Sequence, residues 1–316
     1  MRVVTADEID AALGRGGLVD ALADAFRGGV AAPPRHHHPV PRPGRDATLL
    51  LMPAWTEGEG AGFLGVKIVS VFPTNGERGL PAVQGTYVLA DGETGRPFAA
   101  LDGTRLTLWR TAAASALAAR HLARADASRM TMVGAGALAP FLVRAHASVR
   151  AIAEVAVWAR RPDAAEALAA QLSAEGIAAR ATEDLASAVG NADLVSCATL
   201  AREPLVRGDW LRPGAHLDLV GAFDLSMREA DDRALERASV YVDTPACLTE
   251  GGDVAVAIRA GGFDRGRVRG DLADLVAGRT TGRSSSDEIT LFKSIGASLE
   301  DLAAAQLVWT RVSGRD

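Results

Sequence analysis

An α/β architecture, with one parallel-sheet domain inserted into a discontinuous α+β domain, is what this 316-residue sequence predicts. Three observations carry the prediction. β-Branched runs alternate with alanine-rich helical stretches through the middle of the chain, the pattern of βαβ units and a parallel sheet. An alternating apolar run, Arg129–Val133, ends in a glycine-rich turn, GAGALAP (Gly134–Pro140), that opens a helix. Outside that region the pattern changes: strands with a turn signal precede it, and an amphipathic helix follows it. A chain of this length is also long for a single hydrophobic core, so two domains are expected.

Taken in order, Ala31–Arg45 (AAPPRHHHPVPRPGR) is proline-rich and reads as an irregular loop. Thr48–Met52, Phe63–Val71 and Thr86–Ala90 read as strands, and the DGETG that follows the third marks a turn, so an antiparallel unit is expected there. Thr107–Ala123 reads as a long helix leading into the glycine turn. Val155–Trp158, Asp193–Cys197, His216–Val220 and Val240–Asp243 read as buried strands, with helices at Ala164–Ala174 and Asp184–Val189. The alternation starts near Ser128 and fades after about residue 245. The tail, Asp287–Val312, reads as one amphipathic helix, because SSS before it and DE at its start supply an N-cap and first-turn acids. The domains are accordingly placed at 1–112 plus 288–316 and at 113–287.

Composition excludes several classes. Hydrophobic residues at 48% and charged residues at 23% are ordinary for a globular chain. A net charge of −5 gives no basic surface for nucleic acid. No apolar run approaches the roughly 18 residues that span a bilayer, and MRVVTADEID lacks the apolar core of a signal peptide. Cys197 and Cys247 have no CxxC spacing, so neither a disulfide framework nor a thiolate zinc site is expected. His36, His37 and His38 are consecutive, do not converge on one ion in an extended segment, and have no carboxylate cluster beside them; no metal is expected. The expectation is a cytoplasmic protein.

The glycine turn has the parts of a Rossmann dinucleotide site. Gly134 permits the tight turn, Gly136 lets backbone approach a pyrophosphate, and Ala139 stands where a third glycine would allow close helix packing. The helix N-terminus then offers its amides and dipole, so Gly134, Gly136, Ala137 and Leu138 are the candidate phosphate-binding residues. The second strand ends in Trp158-Ala159-Arg160-Arg161, without the Asp or Glu that would grip a ribose 2′-hydroxyl. Trp158, Arg160 and Arg161 are therefore candidates for a 2′-phosphorylated nucleotide, NADP(H), with NAD(H) as the alternative. Taken singly, each arginine also reads as solvent-facing.

Four stretches, GVKIVSVFPTN (Gly65–Asn75), LDGTRLTLWRTAAASALAARHLAR (Leu101–Arg124), the VGAGALA turn and DEITLFKSIGASLEDLAAA (Asp287–Ala305), resemble the ornithine cyclodeaminase/mu-crystallin family, over nearly the whole chain and in the family's order. The resemblance implies a Rossmann domain joined to a substrate and dimerisation domain, a homodimer, and a nicotinamide cofactor acting on amino acids, imino acids or cyclic ketimines. It places the substrate carboxylate on Arg35, Lys67 and Arg110, with one histidine of His36–His38 lining the pocket. Nicotinamide contacts fall on Thr111 and Thr199, with Ser294 a further candidate. By the same resemblance, the aspartate of true cyclodeaminases is replaced by Phe223 in VGAFDLSMRE, with Asp224 one residue along, so ornithine cyclodeamination is not expected. PAVQGTY, LVGAFDLSMREADD and SCATLAREPLVRGDW look most like the branch that reduces Δ1-pyrroline-2-carboxylate and Δ1-piperideine-2-carboxylate. The expected activity is NADPH-dependent reduction of these rings to L-proline or L-pipecolate, with Lys67, Arg110 and Asp224 as candidate catalytic residues. The alternatives are a cyclodeaminase or amino-acid dehydrogenase of the same family, or a non-catalytic ligand binder.

Overall fold

In the computed structural model, which describes residues 1–58 and 62–314, the chain divides into two units, Met1–Arg110 with the segment from Ala297, and Thr111–Gly296. Seven strands among the described residues form the sheet of the first unit: β1 (Arg2–Val4), β2 (Val30–Ala31), β3 (His36–Val40), β4 (Ala47–Thr56), β5 (Phe63–Val71), β6 (Val83–Asp91) and β7 (Pro97–Asp102). Their order is β1-β7-β6-β5-β4-β2, with β3 also on β4. All neighbours are antiparallel except β1 with β7. The two-residue period of a strand separates the faces: Gly65, Lys67 and Val69 of β5 are buried, while Leu64 and Ile68 are exposed. The inner face packs on a C-terminal helix, Ser298–Ser313, which also meets α1 (Ala6–Leu13) and α2 (Leu18–Arg27). A Thr5–Glu8 capping box starts α1.

The proline-rich segment is not irregular throughout. His36–Val40 pairs antiparallel with Ala47–Leu51. Pro39 is tolerated because β3 is bonded on one side only, where a missing N–H costs nothing. His36, His37 and His38 are all exposed.

One helix, α3 (Gly103–Leu122), carries the chain into the second unit. Eight parallel strands are described there: β8 (Arg129–Val133), β9 (Glu154–Trp158), β10 (Ala179–Ala181), β11 (Leu194–Cys197), β12 (His216–Leu219), β13 (Ser239–Val242), β14 (Val268–Asp271) and β15 (Thr290–Lys293). Their order is β10-β9-β8-β11-β12-β15-β13-β14. Helices α4 (Ala139–Val149), α5 (Pro162–Ala174) and α6 (Leu185–Asn191) make the first crossovers. This is a doubly wound Rossmann sheet whose winding reverses between β8 and β11, the place where open α/β sheets hold ligands. Apolar side chains such as Val133, Val195, Leu217, Leu219 and Leu291 fill its core. Asp218, buried on β12, accepts from Ser115 Oγ at 2.9 Å and Ser196 Oγ at 2.6 Å, with His146 Nε2 at 3.2 Å.

The tail departs from the expected single helix. Thr290–Lys293 forms β15, parallel to β12 and β13 and buried along its length. The helix starts only at Ser298. Ser284 and Ser285 hydrogen-bond Glu288 in a local turn rather than capping a helix. Residues 288–296, expected in the substrate domain, belong to the second unit, as do Thr111 and Ala112. Among the described residues no helix is long and apolar enough to cross a membrane.

Candidate active site

The glycine turn of the second unit is shaped for a backbone-bound ligand. Gly134 has φ +112°, and a Cβ there would stand 2.6 Å from the carbonyl oxygen of Ala198, so no other residue fits. Its amide donates to Trp158 O at 2.8 Å, tying the turn to the end of β9. A Cβ added at Gly136 would meet nothing within 4 Å, and Gly136 and Ala137 are exposed. Among the described residues the amides of Gly136, Ala137 and Leu138 donate to no backbone oxygen. Ala139 is fully buried where a third glycine would pack, and Pro140 sits in the first turn of α4, where no N–H is needed. A pyrophosphate fits this turn: open backbone donors, the positive end of a helix, and no side chain in the way.

At the end of β9, Trp158 is half-buried and its Nε1 donates to Glu183 O at 3.3 Å. Arg160 and Arg161 are exposed. Neither has an acidic partner among the described residues, so both guanidinium groups are available to an anion.

The ends of β11 and β12 are pinned by a side chain the sequence reading passed over. Glu229 Oε1 accepts from the amide (2.7 Å) and hydroxyl (2.9 Å) of Thr199, and its Oε2 accepts from the amides of Gly221 (2.7 Å) and Ala222 (3.2 Å). Asp253 Oδ1 in turn accepts from the amides of Glu229 and Ala230, and Lys293 Nζ lies 3.4 Å from Asp253 Oδ2. All three charged groups are buried. Burial pushes the Glu229 carboxyl up to about 7 against the pull of Lys293. Burial also draws Lys293 down, but Asp253 and Glu229 outweigh it and hold the ammonium above its usual value. The Thr199 hydroxyl, expected to face a nicotinamide, is thus committed to Glu229. Ser294 is buried and its hydroxyl has no hydrogen-bond partner among the described residues. Thr111 is buried on α3. In the loop after β12, Phe223 is exposed, while Asp224 Oδ1 accepts from both the amide and the hydroxyl of Ser226 at 2.7 Å. That carboxylate closes a local turn.

The first unit gathers the carboxylate-binding candidates. Lys67 points from β5 into the buried face, and its Nζ stands 2.8 Å from both oxygens of Asp301. It also donates to Thr107 Oγ1 at 3.3 Å. Arg110 on α3 donates from Nε to Asp301 Oδ1 at 2.9 Å and from NH1 to Glu300 Oε2 at 2.8 Å. Burial lowers Lys67, Arg110 lowers it further, and Asp301 opposes both; the ammonium sits at about 8 instead of 10.5. Arg35, half-buried ahead of β3, adds to the downward push, so its charge is felt at the same place. Tyr87 is the cross-strand partner of Lys67. Its hydroxyl lies over Gly65, where a Cβ would collide with it, and burial pushes the phenol up.

Lys67 and Arg110 therefore come together as expected, with Arg35 near them, but Glu300 and Asp301 join them and were not foreseen. The available signal was an acidic pair set between two leucines and followed by an alanine run in SLEDLAAA. A second overlooked signal is that the chain has two lysines, Lys67 and Lys293, and both are buried. Among the described residues no group of His, Cys, Asp or Glu is placed to hold a metal ion.

Comparison with known proteins places the chain in a family. The family model for the ornithine cyclodeaminase/mu-crystallin family matches residues 3–316. A Δ1-pyrroline-2-carboxylate reductase of Paracoccus denitrificans is 43% identical over 269 residues, covering 84% of each chain. The solved structure of Thermococcus litoralis Δ1-pyrroline-2-carboxylate reductase, in complex with NADH and L-proline, superposes with a TM-score of 0.93 at 33% identity, covering 100% of this chain and 98% of that one. An archaeal alanine dehydrogenase dimer with bound NAD superposes with a TM-score of 0.92 at 30% identity, covering 100% and 97%.

Proposed function

The chain belongs to the ornithine cyclodeaminase/mu-crystallin family, and on that premise we propose that it is a cytoplasmic, homodimeric reductase that uses NADPH to convert Δ1-pyrroline-2-carboxylate and Δ1-piperideine-2-carboxylate to L-proline and L-pipecolate. The observation that carries the reading is the buried pair Lys67 and Arg110 with Arg35 beside it. A guanidinium fork and an ammonium side by side suit a planar carboxylate. When bound, the reduced nicotinamide supplies the hydride that saturates the C=N bond. The chain's own residues hold the substrate carboxylate and exclude water from it, which makes positioning the main contribution to rate. A cyclic ketimine can arrive already protonated at nitrogen, so no acid is required at position 223, where Phe223 stands; Asp224 is engaged with Ser226 and is left out of the proton chemistry.

The test is a substrate panel. NADPH absorbance should fall with either ketimine, and the protein should release no ammonia from ornithine and reduce no NADP⁺ with alanine. Conversion of ornithine to proline without net change in the cofactor overturns the reading, and absence of turnover with every ketimine favours a ligand-binding role.

Arg160 and Arg161, without an acidic partner among the described residues at the end of β9, support the phosphorylated cofactor. Replacing both with alanine should raise the KM for NADPH by roughly 10–100-fold, the worth of one or two charge-assisted hydrogen bonds, and leave that for NADH nearly unchanged. Equal effects on the two cofactors refute the assignment. The outer face of the first sheet supports the homodimer: Trp55, Leu64 and Ile68 are exposed on adjacent strands β4 and β5, and Val66 and Val88 lie on the same face. An apolar patch of that kind marks an interface. Sedimentation at twice the monomer mass, reduced to the monomer in Ile68→Glu, checks it.

A further inference from the structure

Lys67 and Arg110 reach one carboxylate from two different elements. The ammonium on β5 donates to Asp301 Oδ1 at 2.8 Å, and the Nε of Arg110 on α3 donates to that same oxygen at 2.9 Å. Asp301 is fully buried in the first turn of the C-terminal helix. Its neighbour Glu300 takes the other arm of the guanidinium. Two buried cations stand against two buried anions, the arrangement in which interior charge is tolerated and in which loss of one member is costly.

Resting on the reading of this cluster as a ketimine carboxylate site, we infer that Asp301 is a positioning residue of the reaction, bolting the Lys67 ammonium and the Arg110 guanidinium into one donor surface. The groups acting on Lys67 come from four directions. Arg110 from α3 and Arg35 from the segment before β3 drive it towards the neutral amine, Tyr87 faces it across the strand pair, and Asp301 from the C-terminal helix opposes the two arginines. Without the Asp301 charge the lysine has two cations near it and no anion directly on it. It then loses both its aim and its proton, and the substrate carboxylate meets a weaker, looser pair.

The composition of the chain makes this directly measurable. With two lysines, protein labelled with [13C,15N]lysine gives two side-chain signals, and that of Lys67 is identified by its loss in Lys67→Arg. In the wild type it should titrate at about 8. In Asp301→Asn it should move down by about one pH unit or more, the scale of a nearby opposite charge, while the Lys293 signal stays in place. In the same variant the KM for the ketimine should rise about tenfold or more and that for NADPH should hold at its wild-type value. An unmoved Lys67 titration in folded Asp301→Asn overturns the inference. If Asp301→Asn fails to fold, Asp301→Glu decides: it keeps the charge but displaces it, so the ketimine KM should rise with the titration preserved, and an unchanged KM overturns the inference. A wild type inactive on every ketimine would overturn the functional reading instead, and the lysine signal would still decide the role of Asp301.

Discussion

Lys67→Met should lower kcat/KM for a cyclic ketimine by about 10²–10³-fold, the cost of truncating one member of a buried, hydrogen-bonded charge set that meets a charged ligand. The side chain is 2% exposed, so water does not replace the lost ammonium. The variant also leaves Asp301 with Arg110 as its hydrogen-bonded cation among the described residues, and an incompletely matched buried carboxylate destabilises by about 3–5 kcal/mol. A lower melting temperature should therefore accompany the loss of activity. Ketimine turnover near the wild-type rate in a folded Lys67→Met would remove this lysine from the site. The same residue should set the alkaline limb of the pH profile. With the ammonium at about 8, Lys67 is charged below that pH and neutral above it, so kcat/KM should fall as pH rises through 8. In Lys67→Arg that limb should disappear, because a guanidinium does not lose its proton in this range. Kinetics from pH 6.5 to 9.5 at saturating cofactor would show it.

The second large effect is expected in the other unit. Glu229→Gln preserves volume but gives the clamp one oxygen where it had two. Whichever way the amide turns, its NH₂ faces either the Thr199 amide and hydroxyl or the amides of Gly221 and Ala222. The Thr199 hydroxyl can turn to accept from the new NH₂, but backbone amides cannot, so the amide of Thr199 or the pair of Gly221 and Ala222 loses its acceptor at about 1–3 kcal/mol each. A loss of about 1–5 kcal/mol in unfolding free energy is expected by denaturant titration. The loops after β11 and β12 are fixed by this carboxylate, so the KM for the cofactor should rise as well. Wild-type stability in Glu229→Gln would mean that the four hydrogen bonds are replaceable by water.

Much of this fold can be read along the chain, and the exceptions have physical reasons. Strands β9, β11, β12 and β13 lie within a residue or two of their expected limits, because short β-branched runs between amphipathic helices have few other uses in a parallel sheet. The glycine turn is legible because its requirement is local: Gly134 needs a positive φ and room beside Ala198. Strand β15 is not legible, since ITLFK between acids and a helical pattern fits either period. The five residues of β3 were hidden by a proline and three histidines of poor strand propensity, and only the edge position makes them acceptable. Glu300 and Asp301 are the most instructive omission. An acidic pair on a helix normally faces solvent; these are buried because their cations lie 190 and 234 residues earlier in the chain. No local window contains such a pairing.

The burial of both lysines, one in each unit, has a practical corollary. A lysine-specific endoprotease finds no accessible cleavage point among the native side chains, since strand-embedded residues at 2% exposure or less cannot enter a protease cleft. Scission after Lys67 requires the first unit to open and scission after Lys293 requires the second. The chain thus carries two endogenous reporters of partial unfolding, and fragment sizes alone distinguish which half breathes first.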